Sequence, residues 1–127
     1  SRNEQPLEFI VTSDKETLKK ICGMCPNGPF IKDASYLVAA FSKDTKYYLE
    51  DCSAATQNML LAIEALGLGG CWVAGDKKDY AEDIRKIFNM PDNYKLVSMI
   101  TVGHPKKEEK PHAKKSLKEV LRWERHS

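Results

Sequence analysis

Two kinds of group in this sequence could do chemistry: thiols and uncovered main chain. Cys22-Gly23-Met24-Cys25 has the C-x-x-C spacing of a redox pair or of half a zinc site. No second pair and no His at zinc spacing accompanies it, and it follows a helical segment where a thioredoxin-type pair precedes one. The spacing is therefore expected to be incidental, with a labile thiol pair or zinc site as the competing reading. Cys52 and Cys71 sit in apolar sequence, where a thiol behaves as a small hydrophobe, and the set fits a reduced cytosolic chain. The uncovered main chain is Gly67-Leu68-Gly69-Gly70 running into Cys71-Trp72-Val73-Ala74-Gly75. Small residues there leave N–H groups bare, and bare amides can hold the polar edge of a flat cofactor. The same glycines are also what an ordinary helix C-cap requires. A third feature is the basic segment Lys106, Lys107, Lys110, His112, Lys114 and Lys115, either a phosphate contact or a solvated loop.

Other chemistries are missing. There is no Ser-His-Asp order, no metal-ligand cluster and no Walker loop, and the glycines at 67–70 follow a helix where a dinucleotide fingerprint must follow a strand. Of 127 residues, 42% are apolar and 30% charged, an ordinary core with too many charges for a membrane protein. No apolar run reaches the roughly 18 residues of a membrane span, and the opening residues are unlike a signal peptide. The net charge of +2, from 20 basic and 18 acidic side chains, gives no field that would recruit nucleic acid.

The elements that must position these groups can be read from pattern. Leu7–Val11 is a strand by β-branched and aromatic content, and Ser13 or Asp14 caps a helix that Gly23 ends. Residues 26–33 read as loop, and Ser35–Ser42 as a strand covered on both faces. Asp44 is the expected N-cap of a long helix ending at Gly67. That helix is apolar in nearly every direction, so it belongs in a large core or between two subunits. Asp76 or Asp79 starts an amphipathic helix carrying Tyr80, Ile84, Ile87 and Phe88; Lys95–Gly103 is a buried strand; Ser116 caps a last helix with Leu117, Val120 and Leu121 on one apolar face. The order describes an α+β sandwich, helices on a central sheet, in one domain over 1–127. The polar turn Ser1–Pro6, running straight into a strand, suggests a preceding element missing from the sequence.

Four segments, in order, give the chain a family resemblance. Ser1-Arg2-Asn3-Glu4-Gln5-Pro6 is similar to a P-S-S-x-N-x-Q-P-W turn. The helix with Asp51, Ala55, Gln57 and Asn58 leads to Gly67-Leu68-Gly69, and Cys71-Trp72-Val73-Ala74-Gly75 follows. Last come Val102-Gly103-His104-Pro105 and a basic residue ahead of Ser116–Val120. Together these resemble the flavin-dependent nitroreductase family.

That resemblance implies a mixed, mainly antiparallel sheet flanked by helices, and a homodimer with the long helix at its interface. It further implies two FMN molecules between the subunits, NADH or NADPH as electron donor, and ping-pong transfer to a nitroaromatic, quinone or other small electrophile. Ser1 and Asn3 would approach the flavin from the partner subunit, with Gln5 more structural. Val73, Ala74 and Gly75 would lie against the isoalloxazine with a backbone N–H near N5, and Trp72 beside the ring or, as an indole next to a glycine turn, in the core beneath it. Lys114 and His112 would meet the phosphate, Lys without the bidentate fork of Arg. No protein residue is expected to be an obligatory acid or base. Three features depart from the pattern: the Arg-rich R-R-S-x-R opening helix is absent from this sequence, Leu7 stands where Trp follows Gln-Pro, and the loop from Ile21 to Ile31 is short. The alternative function is a flavin- or ligand-binding regulatory or storage module of the same fold, without turnover.

Overall fold

In the computed structural model, residues 1–107 and 110–126 are described; Glu108 and Glu109, inside the lysine-rich segment, and Ser127 lie outside them. The two most apolar runs form the middle of the sheet. They are β2 (Tyr36–Lys43) and β4 (Tyr94–Gly103), paired antiparallel with a bulge between Ala40 and Phe41. Strand β1 (Leu7–Thr12) pairs with β2, and β3 (Gly69–Ala74) pairs with β4, so the order is β1-β2-β4-β3 and every pairing is antiparallel. Leaving β3 at an edge exposes one side of its backbone, and the site is built on that side.

Each face of the sheet carries helix. Under one lie α1 (Lys15–Met24) and α3 (Ala81–Ile87), whose Leu18, Ile21 and Ile84 pack with Leu37, Ala39, Phe41, Val73 and Met99 in the main core. Asp14 caps α1 by accepting from the Thr17 N–H at 2.9 Å, as its position predicts. The helix runs through Gly23 and ends at Met24, one residue past the expected glycine stop, with Cys25 as its C-cap. Gly23 meets nothing that would force a left-handed turn.

On the other face lies α2 (Tyr48–Ala65). Asp44 does not cap it. That carboxylate pairs instead with Lys95 at 3.0 Å, and the N-cap position is Tyr47, with no side-chain bond. The stop is as read, with Gly67 at φ 75° and the Leu68 N–H closing back on the Ile63 carbonyl. Only one side of α2 is buried. Cys52 and Thr56 are fully covered, while Leu61 and Leu66 are 60% and 75% exposed. The chain's own core therefore leaves much of the helix's apolar surface uncovered.

Thr56 is the polar contact between α2 and the sheet. Its hydroxyl donates to the Cys52 carbonyl at 2.8 Å, and the Ser98 hydroxyl of β4 lies 2.7 Å from the same oxygen, all three residues being buried. With Val at 56, the Ser98 hydroxyl loses its partner in a dry site, a cost of about 1–3 kcal/mol. Urea denaturation of Thr56→Val should show that loss as a lower midpoint at unchanged slope; an unshifted midpoint would contradict it.

Cys52 gives the fold an alkaline weakness. Burial pushes its thiol from 9.0 up to about 12. The unfolded chain therefore releases this proton first, and stability falls as pH rises between those two values. At pH 10 the loss from this one thiol is about 1.4 kcal/mol. Burial also raises Cys25 and Tyr48, which act with the same sign. Urea midpoints at pH 8 and pH 10 should differ accordingly, and by less in Cys52→Ala; equal differences in both proteins would exclude Cys52 as a source.

After β4 the chain leaves the body as an exposed arm, and α4 (Leu117–Val120) is one turn closed by a Ser116–Glu119 capping box. The cap is as expected, but the apolar face is not packed. Leu117, Val120 and Leu121 are exposed, and Trp123 is 82% exposed. No helix among the described residues is long and apolar enough to cross a membrane.

Candidate functional site

The uncovered main chain of the sequence becomes the outer edge of β3. In an antiparallel ladder, peptide groups point alternately toward and away from the partner strand. The Gly75 N–H donates inward to the Val97 carbonyl at 3.1 Å, and the Asp76 N–H reaches the same oxygen at 3.0 Å. The Ala74 carbonyl is turned the other way and accepts from the Tyr80 hydroxyl at 2.5 Å. By the same alternation, the N–H groups of Ala74 and Trp72 face outward.

They face a groove of about 620 Å³. Its far wall is the loop after α1, with Met24, Cys25, Pro26 and Phe30, and its end is the start of α3, with Lys78, Tyr80 and Asp83. That volume falls within the usual range for small-molecule and cofactor sites. The groove combines aromatic and apolar side chains with an open strand edge, a shape suited to a planar molecule with a polar rim.

Of the residues expected at the cofactor, Trp72, Val73 and Ala74 line this groove, and so do the thiol-bearing Cys25 and Cys71. Trp72 is 38% exposed, so the reading that placed its indole in the core is overturned; it lies opposite Ile100 on an edge strand with no further strand to cover it. Gly75 is buried behind the edge. A Cβ there would stand 2.7 Å from Leu96 Cγ and 3.1 Å from the Val97 carbonyl carbon, so glycine is needed for β3 to approach β4 at this point. Asp76 accepts from the Tyr48 hydroxyl at 3.0 Å, tying the turn after β3 to the start of α2. Burial first, then this bond, pushes the Tyr48 phenol up, so it stays a donor.

The remaining candidates lie elsewhere on the chain. Ser1, Asn3 and Gln5 form an exposed turn in which Arg2, Asn3 and Gln5 all have left-handed backbones, at φ 54°, 55° and 49°. Such conformations in non-glycine residues are costly and concentrate at functional sites. Gln5 Nε2 donates to Asn3 Oδ1 at 2.8 Å. His112 and Lys114 are exposed on the C-terminal arm and line no part of the groove. The described residues hold no cluster of His, Cys, Asp or Glu able to bind a metal, so the zinc reading of Cys22 and Cys25 gains no further ligand there. Cys25 is buried and Cys22 half-buried, its sulfur 3.4 Å from the Pro29 carbonyl.

Sequence reasoning missed the groove's second wall. Tyr80 reads as one apolar residue in a helical pattern, and neither Asp76 nor Asp79 caps that helix; Tyr80 itself occupies the N-cap position. Its position six residues past Ala74, after a turn holding Lys77 at φ 60°, is what brings the ring back over the strand end.

Comparison with known proteins follows from this geometry. The profile of the Nitroreductase family matches residues 24–104. A candidate NADH dehydrogenase/NAD(P)H nitroreductase of Archaeoglobus fulgidus is 37% identical over 113 residues, covering 84% of this chain and 65% of that protein. The FMN reductase (NADPH) of Bacillus subtilis is 33% identical over 124 residues, covering 80% and 49%. A crystal structure of a candidate NADH dehydrogenase/NAD(P)H nitroreductase from Bacteroides thetaiotaomicron superposes with a TM-score of 0.91 at 30% identity, over 99% of this chain and 76% of that one. The chain belongs to the nitroreductase family. It spans about half to two thirds of the length of these two sequence relatives.

Proposed function

We propose that this chain forms the flavin-holding part of an FMN-dependent NAD(P)H oxidoreductase that works as a homodimer. The observation that carries the reading is the outward-facing edge of β3 at Trp72 and Ala74, open on a groove of the right size beside aromatic side chains. A family profile over 24–104, and a relative named as an FMN reductase using NADPH, support it.

The residues present fit the group. FMN, when bound, supplies hydride acceptance and two-electron transfer. The protein's part is to orient the ring, keep water away and place donors where electron density rises. With the Gly75 N–H engaged by Val97, the Ala74 N–H would be the donor offered to N5. Ala74 has a side chain small enough to let a ring approach, and Trp72 flanks it. The exposed Leu61 of α2, with Leu66 at the helix's C-cap, marks the dimer surface. Across it, the turn with Ser1, Asn3 and Gln5 serves the partner's flavin, Gln5 bracing Asn3 as its hydrogen bond suggests. Lys114 and His112, on the arm, supply positive charge for the phosphate. No side chain acts as an obligatory acid or base, and the acceptor is a nitroaromatic, quinone or similar small electrophile.

The test is optical. Full-length protein given FMN and freed of excess should be yellow and should bleach under NADH or NADPH without oxygen. Protein that binds no FMN contradicts the proposal. Flavin that is reduced by dithionite but by neither nicotinamide would make the chain a binding module instead.

A further inference from the structure

Tyr80 stands where three elements meet the groove. It precedes α3, and its hydroxyl donates to the Ala74 carbonyl of β3. The phenol has one proton, and Ala74 holds it at 2.5 Å. Cys25 is 2% exposed and Tyr80 half-buried. Burial pushes both thiol and phenol up, so both protons stay in place at neutral pH.

The consequence is electrostatic. The Ala74 carbonyl is on the same outward edge as the Ala74 N–H and points its negative end at the groove wall. A ring lying there gains electron density on reduction, which an unmasked carbonyl opposes and a masked one does not. We propose that Tyr80 is a positioning residue that masks the Ala74 carbonyl and thereby raises the reduction potential of flavin bound along β3. This rests on the flavin reading above. A Tyr80 that merely supported the fold would change stability, or the affinity of both redox forms together, and leave the potential unmoved.

The experiment is a potential measurement on full-length protein reconstituted with FMN, by equilibration with a reference dye. Tyr80→Phe should weaken binding of reduced relative to oxidised FMN three- to tenfold, which lowers the two-electron potential by about 15–30 mV. Tyr80→Phe with FMN bound at an unchanged potential overturns the proposal alone. Unmodified protein that binds no FMN overturns the flavin reading and this proposal with it. Should Tyr80→Phe fail to fold, 3-fluorotyrosine at position 80, a stronger donor of nearly the same shape, decides: it should raise the potential, and an unchanged potential there overturns the masking role.

Discussion

Ala74→Pro in the full-length protein lowers the rate of flavin reduction by NADH or NADPH about 100-fold while the chain remains folded. The expectation follows from which way one peptide faces. Proline removes an N–H, which in a central strand breaks the ladder, but on an edge strand is tolerated when that N–H points outward. Ala74 is such a position: its carbonyl is engaged outward by Tyr80 and the next N–H, of Gly75, is engaged inward by Val97. The variant thus removes a donor from the groove without taking one from the sheet. Removing a preorganised donor from a site of developing negative charge typically costs about 10²–10³ in rate. The measurement is a stopped-flow trace of flavin bleaching, with circular dichroism as the folding control. A folded variant reduced at the normal rate would show that the Ala74 amide does not serve N5. Gly75→Ala is the contrasting change, because its Cβ would collide with Leu96 and Val97, so its loss of flavin should come with loss of stability.

The second large effect concerns assembly. Leu61→Asp should convert the dimer to monomer at micromolar concentration and lose bound FMN, with the monomer still folded. Leu61 is 60% exposed on α2, so a carboxylate there meets water in the isolated chain. At the centre of a dimer interface the same carboxylate would be desolvated against its symmetry mate, and central truncations at such places cost 2 kcal/mol or more, roughly thirtyfold in affinity. Two like charges add to that loss. Sedimentation velocity with flavin absorbance reads both consequences at once. A variant that stays dimeric, or stays yellow as a monomer, would separate α2 from the flavin site.

Pattern was enough to place the sheet and the helices. The apolar runs in β2 and β4, the glycine stop at Gly67 and the short run Cys71–Ala74 each express a local preference that the fold respects. The all-round apolar character of α2 was also legible, though not which side the chain itself would cover. That choice depends on Thr56 finding Ser98, 42 residues away. Asp44 has the right type for an N-cap, yet Lys95, reached only through the β2–β4 pairing, takes its carboxylate. At the site, small residues at 73–75 announced bare main chain, but the direction of each N–H is a property of the ladder, not of residue type. Tyr80 carried no local signal. Its role comes from a turn that folds it back over Ala74. Leu117, Val120 and Leu121 obey helical spacing yet touch no core, because the arm leaves the body before they begin.

The most direct measurement is residue-resolved amide exchange on the full-length protein with and without FMN. The account predicts that FMN slows exchange at Ala74 and Trp72, whose amides face the groove, and leaves Gly75, already bonded to Val97, little changed. Flavin bound with Ala74 and Trp72 exchanging as freely as before would mean that the ring lies elsewhere, and the open edge of β3 would not be its cradle.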